Sequence, residues 1–213
     1  MRQKIILFTI ILIVFGLGIS EVTAISDAET QANNILNKNS TDSDVLIVYF
    51  SRTGENYNVG NVEVGNTAMV ASYIKEYLKA DSFEIVPVDK YPDNYDECTK
   101  LASKEKDDNA RPKIQGKIDN FDSYKTVFIG YPIWWGDLPM IMYTFLEDYN
   151  FDGKNVYLFN THEGSGDAGT YKTVQSKLPK ANVNIDGLAM DGKTARSEAG
   201  KQQTINWLKE SGF

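Results

Sequence analysis

The sequence predicts an α/β domain built on an open five-stranded parallel sheet with helices on both faces. Two observations carry that reading. Five short apolar segments of strand length are spaced along the chain, and the stretches between them repeat their apolar residues at helical intervals. The first segment, residues 44–50, is continuously apolar after its opening Asp, as suits a central strand covered on both sides. Strands alternating with helices in this way assemble into a parallel sheet wound on both faces.

The elements follow in order. A second strand is expected at 83–88, bounded by Pro87 and Pro92, and a third at 126–131, ended by Pro132. A fourth at 155–160 follows the turn Asp152-Gly153, and a weaker fifth falls within 183–190. Among the helices, 67–78 sets Val70, Ile74, Tyr77 and Leu78 on one face, and 138–149 does the same with Ile141, Met142, Phe145 and Leu146. Residues 170–178 give a short helix, and 198–208 close the chain with Ile205, Trp207 and Leu208. The polar stretch 95–108 is expected to be helical in part. No internal repeat interrupts this order.

Ahead of the domain lies a different kind of sequence. Arg2 and Lys4 precede an almost wholly apolar run from Ile5 to Ile19, and Val22 and Ala24 offer the small or branched residues a signal peptidase requires. Residues 1–24 therefore read as a signal peptide cleaved after Ala24. The run is shorter than the roughly 18–20 residues that comfortably span a bilayer, which ranks an uncleaved anchor second. With no cysteine near the cleavage region, a lipid-modified Cys anchor is excluded. Residues 25–43 are polar and rich in Asn, Ser and Asp, a linker, and the domain occupies 44–213. The expected location is exported, secreted or in the cell envelope, with the membrane touched only through an N-terminal anchor.

Composition narrows the chemistry. A formal charge of −7 argues against nucleic acid, since phosphate backbones need clustered Lys and Arg. It suits solubility first and steering toward a basic redox partner protein second. One cysteine, Cys98, and one histidine, His162, leave no framework for disulfides, iron–sulfur clusters or Cys- or His-based metal sites.

In such sheets ligands sit beyond the carboxyl ends of the strands, where the strand order reverses. After the first strand come Ser51, Arg52, Thr53 and Gly54, then an Asn- and Gly-rich stretch, then Gly65-Asn66-Thr67 opening a helix. Hydroxyls, glycines and a helix N-terminus together favour a phosphate. The lack of Gly-Lys-Ser/Thr rules out a nucleoside-triphosphate loop. After the third strand the run Pro132-Ile133-Trp134-Trp135-Gly136 places two adjacent indoles on a loop. Neighbours in extended chain face opposite ways, so one indole is expected to fill core and the other to stack on a flat aromatic ligand. After the fourth strand, Thr161-His162-Glu163-Gly164-Ser165-Gly166 leads into a Gly-x-Gly-x-x-Gly pattern. That pattern follows the fourth strand instead of the first βα unit, and alone it is a weak dinucleotide signal. A receiver domain shares the strand order but wants acidic residues where Phe50-Ser51 and Tyr131-Pro132 stand.

Tyr-Phe-Ser-Arg-Thr-Gly at 49–54, Gly-Tyr-Pro-Ile-Trp-Trp-Gly at 130–136 and Asn-Thr-His-Glu-Gly-Ser-Gly at 160–166 together resemble the three flavin mononucleotide (FMN) loops of the flavodoxin family. The resemblance covers 44–213 and implies a flavodoxin-like fold with FMN as cofactor. It implies that Ser51, Thr53, Asn66 and Thr67 hold the phosphate with Arg52 beside it. It further implies that Pro132, Ile133, Trp134, Trp135 and Gly136 pass along the isoalloxazine ring, and that Thr161, His162, Glu163, Gly164 and Gly166 lie near its other side. One feature departs from the family pattern: Asn66-Thr67 stands eleven residues beyond its usual place after Gly54. The inserted stretch 55–65 must loop out and return, and Asn56 or Asn58 could substitute for Asn66. The function implied is electron transfer through bound FMN. The alternative is an FMN-dependent NAD(P)H:quinone-type oxidoreductase, and behind it a binding module that has lost the flavin.

Overall fold

Five parallel strands form the sheet in the order β4-β1-β5-β6-β7. They are β1 (Val45–Phe50), β4 (Asp81–Ile85), β5 (Thr126–Pro132), β6 (Asn155–His162) and β7 (Asn182–Asp191). The computed structural model of the chain describes residues 44–213. The expected signal segment and linker, 1–24 and 25–43, lie outside the described residues. The first connection runs to one side of β1 and the next returns to the other side, so the order reverses between β1 and β5. That is the crevice in which doubly wound sheets hold ligands.

Side chains alternate across the sheet and seed two cores. Leu46, Val48 and Phe50 of β1 point to one face, with Val127 and Ile129 of β5 and Val156 and Leu158 of β6. There they meet α3 (Met140–Asp148) and α4 (Thr170–Lys177). Ile47, Phe128 and Phe159 point to the other face, against Val70, Ala71 and Ile74 of α1 (Asn66–Leu78) and Trp207 and Leu208 of α6 (Glu198–Glu210). The central strands β1, β5 and β6 thus bury both faces, as their apolar runs implied, whereas the edge strands β4 and β7 stay partly exposed.

The expected second strand is displaced. It spans Asp81–Ile85 instead of 83–88, with Asp81 opposite Leu46. Past Ile85 the chain leaves β1: the Val88 N–H donates to Lys113 O and the Gln115 N–H to Val86 O, both at 2.8 Å. Val86 and Val88 are consequently exposed. Their apolarity looked like strand core, but a different backbone partner takes them.

The polar stretch expected to be partly helical is helical throughout as α2 (Tyr95–Asp107). The Asn94 side chain caps it by accepting from Glu97 N, Asp96 and Glu97 occupy its first turn, and Lys104 and Lys106 its last. Caps and charges matched to the helix dipole stabilise a helix whose buried face is only Cys98 and Ala102. The inserted stretch folds as a small antiparallel hairpin, β2 (Gly54–Asn56) and β3 (Gly60–Val62), turning through Asn58 with φ +63°. Asn tolerates that left-handed geometry better than most residues. A four-residue turn of helix, α5 (Gly192–Ala195), links β7 to α6.

Candidate functional site

Beyond the carboxyl ends of β1, β5 and β6 lies a cleft of 360 Å³, within the usual range for cofactor sites. Its floor at one end is the first turn of α1. Gly65 precedes that turn with no capping side chain, and the turn carries no acidic residue. Ser51 Oγ accepts from Ala68 N at 3.0 Å, and Met69 N bonds Gly65 O. Helix geometry leaves the N–H groups of Asn66 and Thr67 without intrahelical acceptors. A Cβ on Gly65 would stand 2.3 Å from Ser51 Oγ and 2.4 Å from Arg52 O, so only glycine lets the two segments meet. Thr67 Oγ1 and Thr161 Oγ1, both buried, share a hydrogen bond of 2.8 Å and tie the first loop to the third.

Arg52, expected beside the phosphate, lies on the cleft with Ser51, Asn66 and Thr67. Its guanidinium donates to the carbonyls of Glu55, Pro92, Asp93 and Asn94. The charge is committed to pinning the hairpin base against the start of α2. Thr53 is exposed and lines a second hollow, on the β4 side, with Glu84 and Lys90. Gly54 is buried against Asp93, where a Cβ would lie 2.8 Å from the carbonyl oxygen at φ +83°, so its glycine serves the hairpin. Ser51, Asn66 and Thr67 do line the cleft, and Asn56 joins them. Arg196, on the α5–α6 connection, donates to Val64 O at 2.7 Å and sits 3.4 Å from Asn66 Oδ1. It brings to this end a cation whose place, 130 residues from Asn66 in the chain, no local pattern marks.

In the second loop Pro132, Ile133, Trp134 and Trp135 line the cleft. Trp134 turns inward, edge-on to Phe50 at 5.3 Å and to Tyr91 at 5.0 Å. Trp135 is 58% exposed with φ +51°, and Gly136 follows at φ +69°. Together they form the two-residue tip of a tight hairpin closed by both Trp134–Asp137 backbone hydrogen bonds. A left-handed Trp is strained and persists only where its surroundings fix it. Here Trp135 Nε1 donates to Thr99 O at 3.0 Å, and Lys106 Nζ donates to Trp135 O at 2.7 Å. Gly136 itself supplies the turn without lining the cleft.

The third loop contributes Thr161, His162 and Glu163 to the lining. Gly164 and Gly166, at φ +110° and +60°, shape the return behind them. The buried Asn160 holds that return by donating to Gly166 O, while Tyr171 Oη donates to Asn160 Oδ1. His162 Nδ1 accepts from Gly164 N, and Glu163 Oε2 accepts from Asn58 Nδ2 at 3.0 Å. Glu163 is the one carboxylate among the lining residues.

Sequence reading missed one wall altogether. Tyr95, Cys98, Thr99 and Ala102 of α2 face the cleft at i, i+3, i+4 and i+7, and Tyr57 joins them from the hairpin. That spacing was the available signal, hidden in a helix with little else apolar. Burial pushes the Cys98 thiol above its ordinary pKa, partly offset by the neighbouring Arg52 charge. The donor set fits the expected FMN: hydroxyl and free N–H groups at one end, and a slot bordered by Pro132, Ile133 and aromatic rings at the other.

A family model described as flavodoxin matches residues 44–211. The fold is similar to a Bacteroides uniformis protein carrying a flavoprotein designation, at 29% identity and a TM-score of 0.62, covering 78% of this chain and 98% of that one. A Bacteroides eggerthii protein of the same designation gives 28%, 0.61, 78% and 95% for the same four measures. A Lactobacillus acidophilus flavoprotein whose structure is a complex with FMN shares the fold at 22% identity and a TM-score of 0.54, covering 71% of this chain and 95% of that one. No curated protein sequence matches the chain significantly.

Proposed function

The chain belongs to the flavodoxin family, and from that premise we propose that it binds FMN and transfers electrons outside the cytoplasm. The observation that carries the reading is the meeting of Ser51 with the first turn of α1, whose N-cap Gly65 brings no capping side chain, at one end of a cleft whose other end is aromatic. The Ser51 hydroxyl and the Asn66 and Thr67 N–H groups would hold the phosphate, aided by the helix dipole. Arg196 would add its charge at the rim. The Thr67–Thr161 bond keeps this floor closed from below, and the left-handed Trp135 holds an indole at the cleft rim.

When bound, FMN supplies the exchange of one or two electrons; the protein supplies binding, orientation and the electrostatics around the ring. Trp134, packed on Phe50 and Tyr91, braces the loop on which Trp135 stands. The tight turn through Trp135 and Gly136 sets the direction of the Trp135 indole beside the cleft. Acidic surface around the domain suits a basic redox partner protein. Export rests on Arg2, Lys4 and the apolar run that follows them.

The test is a visible absorption spectrum of the purified protein with identification of the flavin released on denaturation, followed by addition of NADH or NADPH with a quinone. FMN without nicotinamide turnover is expected. A colourless protein that takes up no FMN overturns the cofactor, and sustained NAD(P)H oxidation would make the protein a reductase.

A further inference from the structure

The hairpin that interrupts the first loop is fastened at three places, and two of them are walls of the cleft. At its base the Glu55 N–H donates to Asp93 O, and Glu55 Oε2 accepts from Asn94 Nδ2 at 2.9 Å and Tyr95 N at 3.0 Å. At its tip Asn58 Nδ2 reaches Glu163 of the third loop. Between these anchors Tyr57 lies on Tyr95 of α2, ring centroids 6.0 Å apart and planes inclined by 29°. The hairpin therefore runs from α2 to the third loop across the mouth of the cleft. Tyr57 lines the cleft, yet it remains 56% exposed despite its stack on Tyr95. The stack on Tyr95 thus leaves more than half of the side chain uncovered. Trp134, packed edge-on against Phe50 and Tyr91, borders the cleft beside the more exposed Trp135.

We propose that Tyr57, carried over the cleft by the inserted hairpin, is an aromatic cover for the isoalloxazine ring, and that Asn58–Glu163 is the strap that holds it there. The inference rests on the FMN reading above. The insertion then works on the ring end of the cofactor, although in sequence it interrupts the phosphate loop. A flat ring placed on the uncovered part of Tyr57 gains stacking and loses water, and neither gain depends on the phosphate. The Asn58–Glu163 bond also takes up one carboxylate oxygen at the cleft, leaving it turned toward the hairpin.

The experiment titrates the protein, purified as the cell processes it and stripped of flavin, with FMN and with riboflavin, following quenching of flavin fluorescence. Tyr57→Ala is expected to weaken both flavins about tenfold, in the range of aromatic stacking, and to leave the FMN-to-riboflavin ratio unchanged. Tyr57→Phe should bind both within about twofold of wild type, and Asn58→Ala should weaken both by a smaller factor. In the unaltered protein, either flavin at saturation should protect Tyr57 from chymotrypsin, a readout that needs no variant to fold. Unchanged affinities for Tyr57→Ala, a loss confined to FMN, or cleavage at Tyr57 unaffected by flavin would each overturn the strap while leaving the FMN reading intact. Wild-type protein that binds neither flavin would overturn both.

Discussion

Trp134 and Trp135 are adjacent in sequence and opposite in consequence. Trp134 packs against the core on Phe50 and Tyr91 while bordering the cleft, so Trp134→Ala should lower unfolding stability by about 3 kcal/mol, the larger of its effects. Trp135 is exposed and fixed by Thr99 and Lys106, so Trp135→Ala should leave stability nearly unchanged and weaken FMN by about 1–2 kcal/mol. Chemical denaturation beside flavin titration separates the two, and a reversed pattern would contradict the assignment. The pair was legible in sequence as one inward and one outward indole, but which was which depended on a left-handed turn that no spacing rule reveals. Arg52 was legible only as a charge near a phosphate loop. Its actual acceptors include carbonyls forty residues away, a relation set by tertiary packing. Cys98 makes a sharper residue-level check. With its thiol held up by burial, alkylation by iodoacetamide at neutral pH should be far slower than in the unfolded chain, and slower still with FMN in the cleft. Rapid labelling of native protein would show that the thiol is open to solvent.

Helix α2 illustrates how an element can be visible while its role is not. The stretch 95–108 was legible only as polar and helical in part, and its cleft face is written in only four residues. Glu105, on the same helix, accepts from Tyr91 Oη at 2.8 Å, and burial raises its carboxyl pKa while that hydrogen bond offsets part of the rise. A raised folded-state value means the folded protein holds the proton more tightly than the unfolded chain. Stability from this group is therefore full below the ordinary value of 4.5 and falls as pH rises above it. Glu105→Gln keeps an acceptor for Tyr91 and removes the titration, so the variant's stability relative to wild type should increase with pH through that window and then level off. A difference independent of pH would refute the burial argument. The second strand was misplaced because Val86, Pro87 and Val88 carry a strand-like pattern yet pair with 113–115. The hairpin was legible only as a detour that must return. The floor beneath the phosphate end has its own test: Gly65→Ala would force apart Ser51 and the 52–53 backbone, costing about 1–3 kcal/mol of stability and most of the FMN affinity.

At the scale of the whole molecule, the five-stranded parallel sheet and the three loops were legible because periodicity and loop position are local signals. The α2 wall, the Arg196 rim and the hairpin's span across the cleft were not, since each joins segments distant in sequence. Export is an expectation of the first residues: protein recovered from outside the cytoplasm should begin at Ile25, as N-terminal sequencing can establish, and an intact Met1 on cytoplasmic protein would refute it. The central claim is that the first turn of α1, together with Ser51, is a phosphate site serving a flavin. Calorimetric titration of flavin-free protein with FMN and riboflavin, for wild type and Ser51→Ala, tests it most directly. Wild type should prefer FMN strongly, and Ser51→Ala should lose about 1–2 kcal/mol for FMN with little change for riboflavin. Equal wild-type affinity for the two flavins, or a Ser51→Ala loss shared by both, would contradict the account.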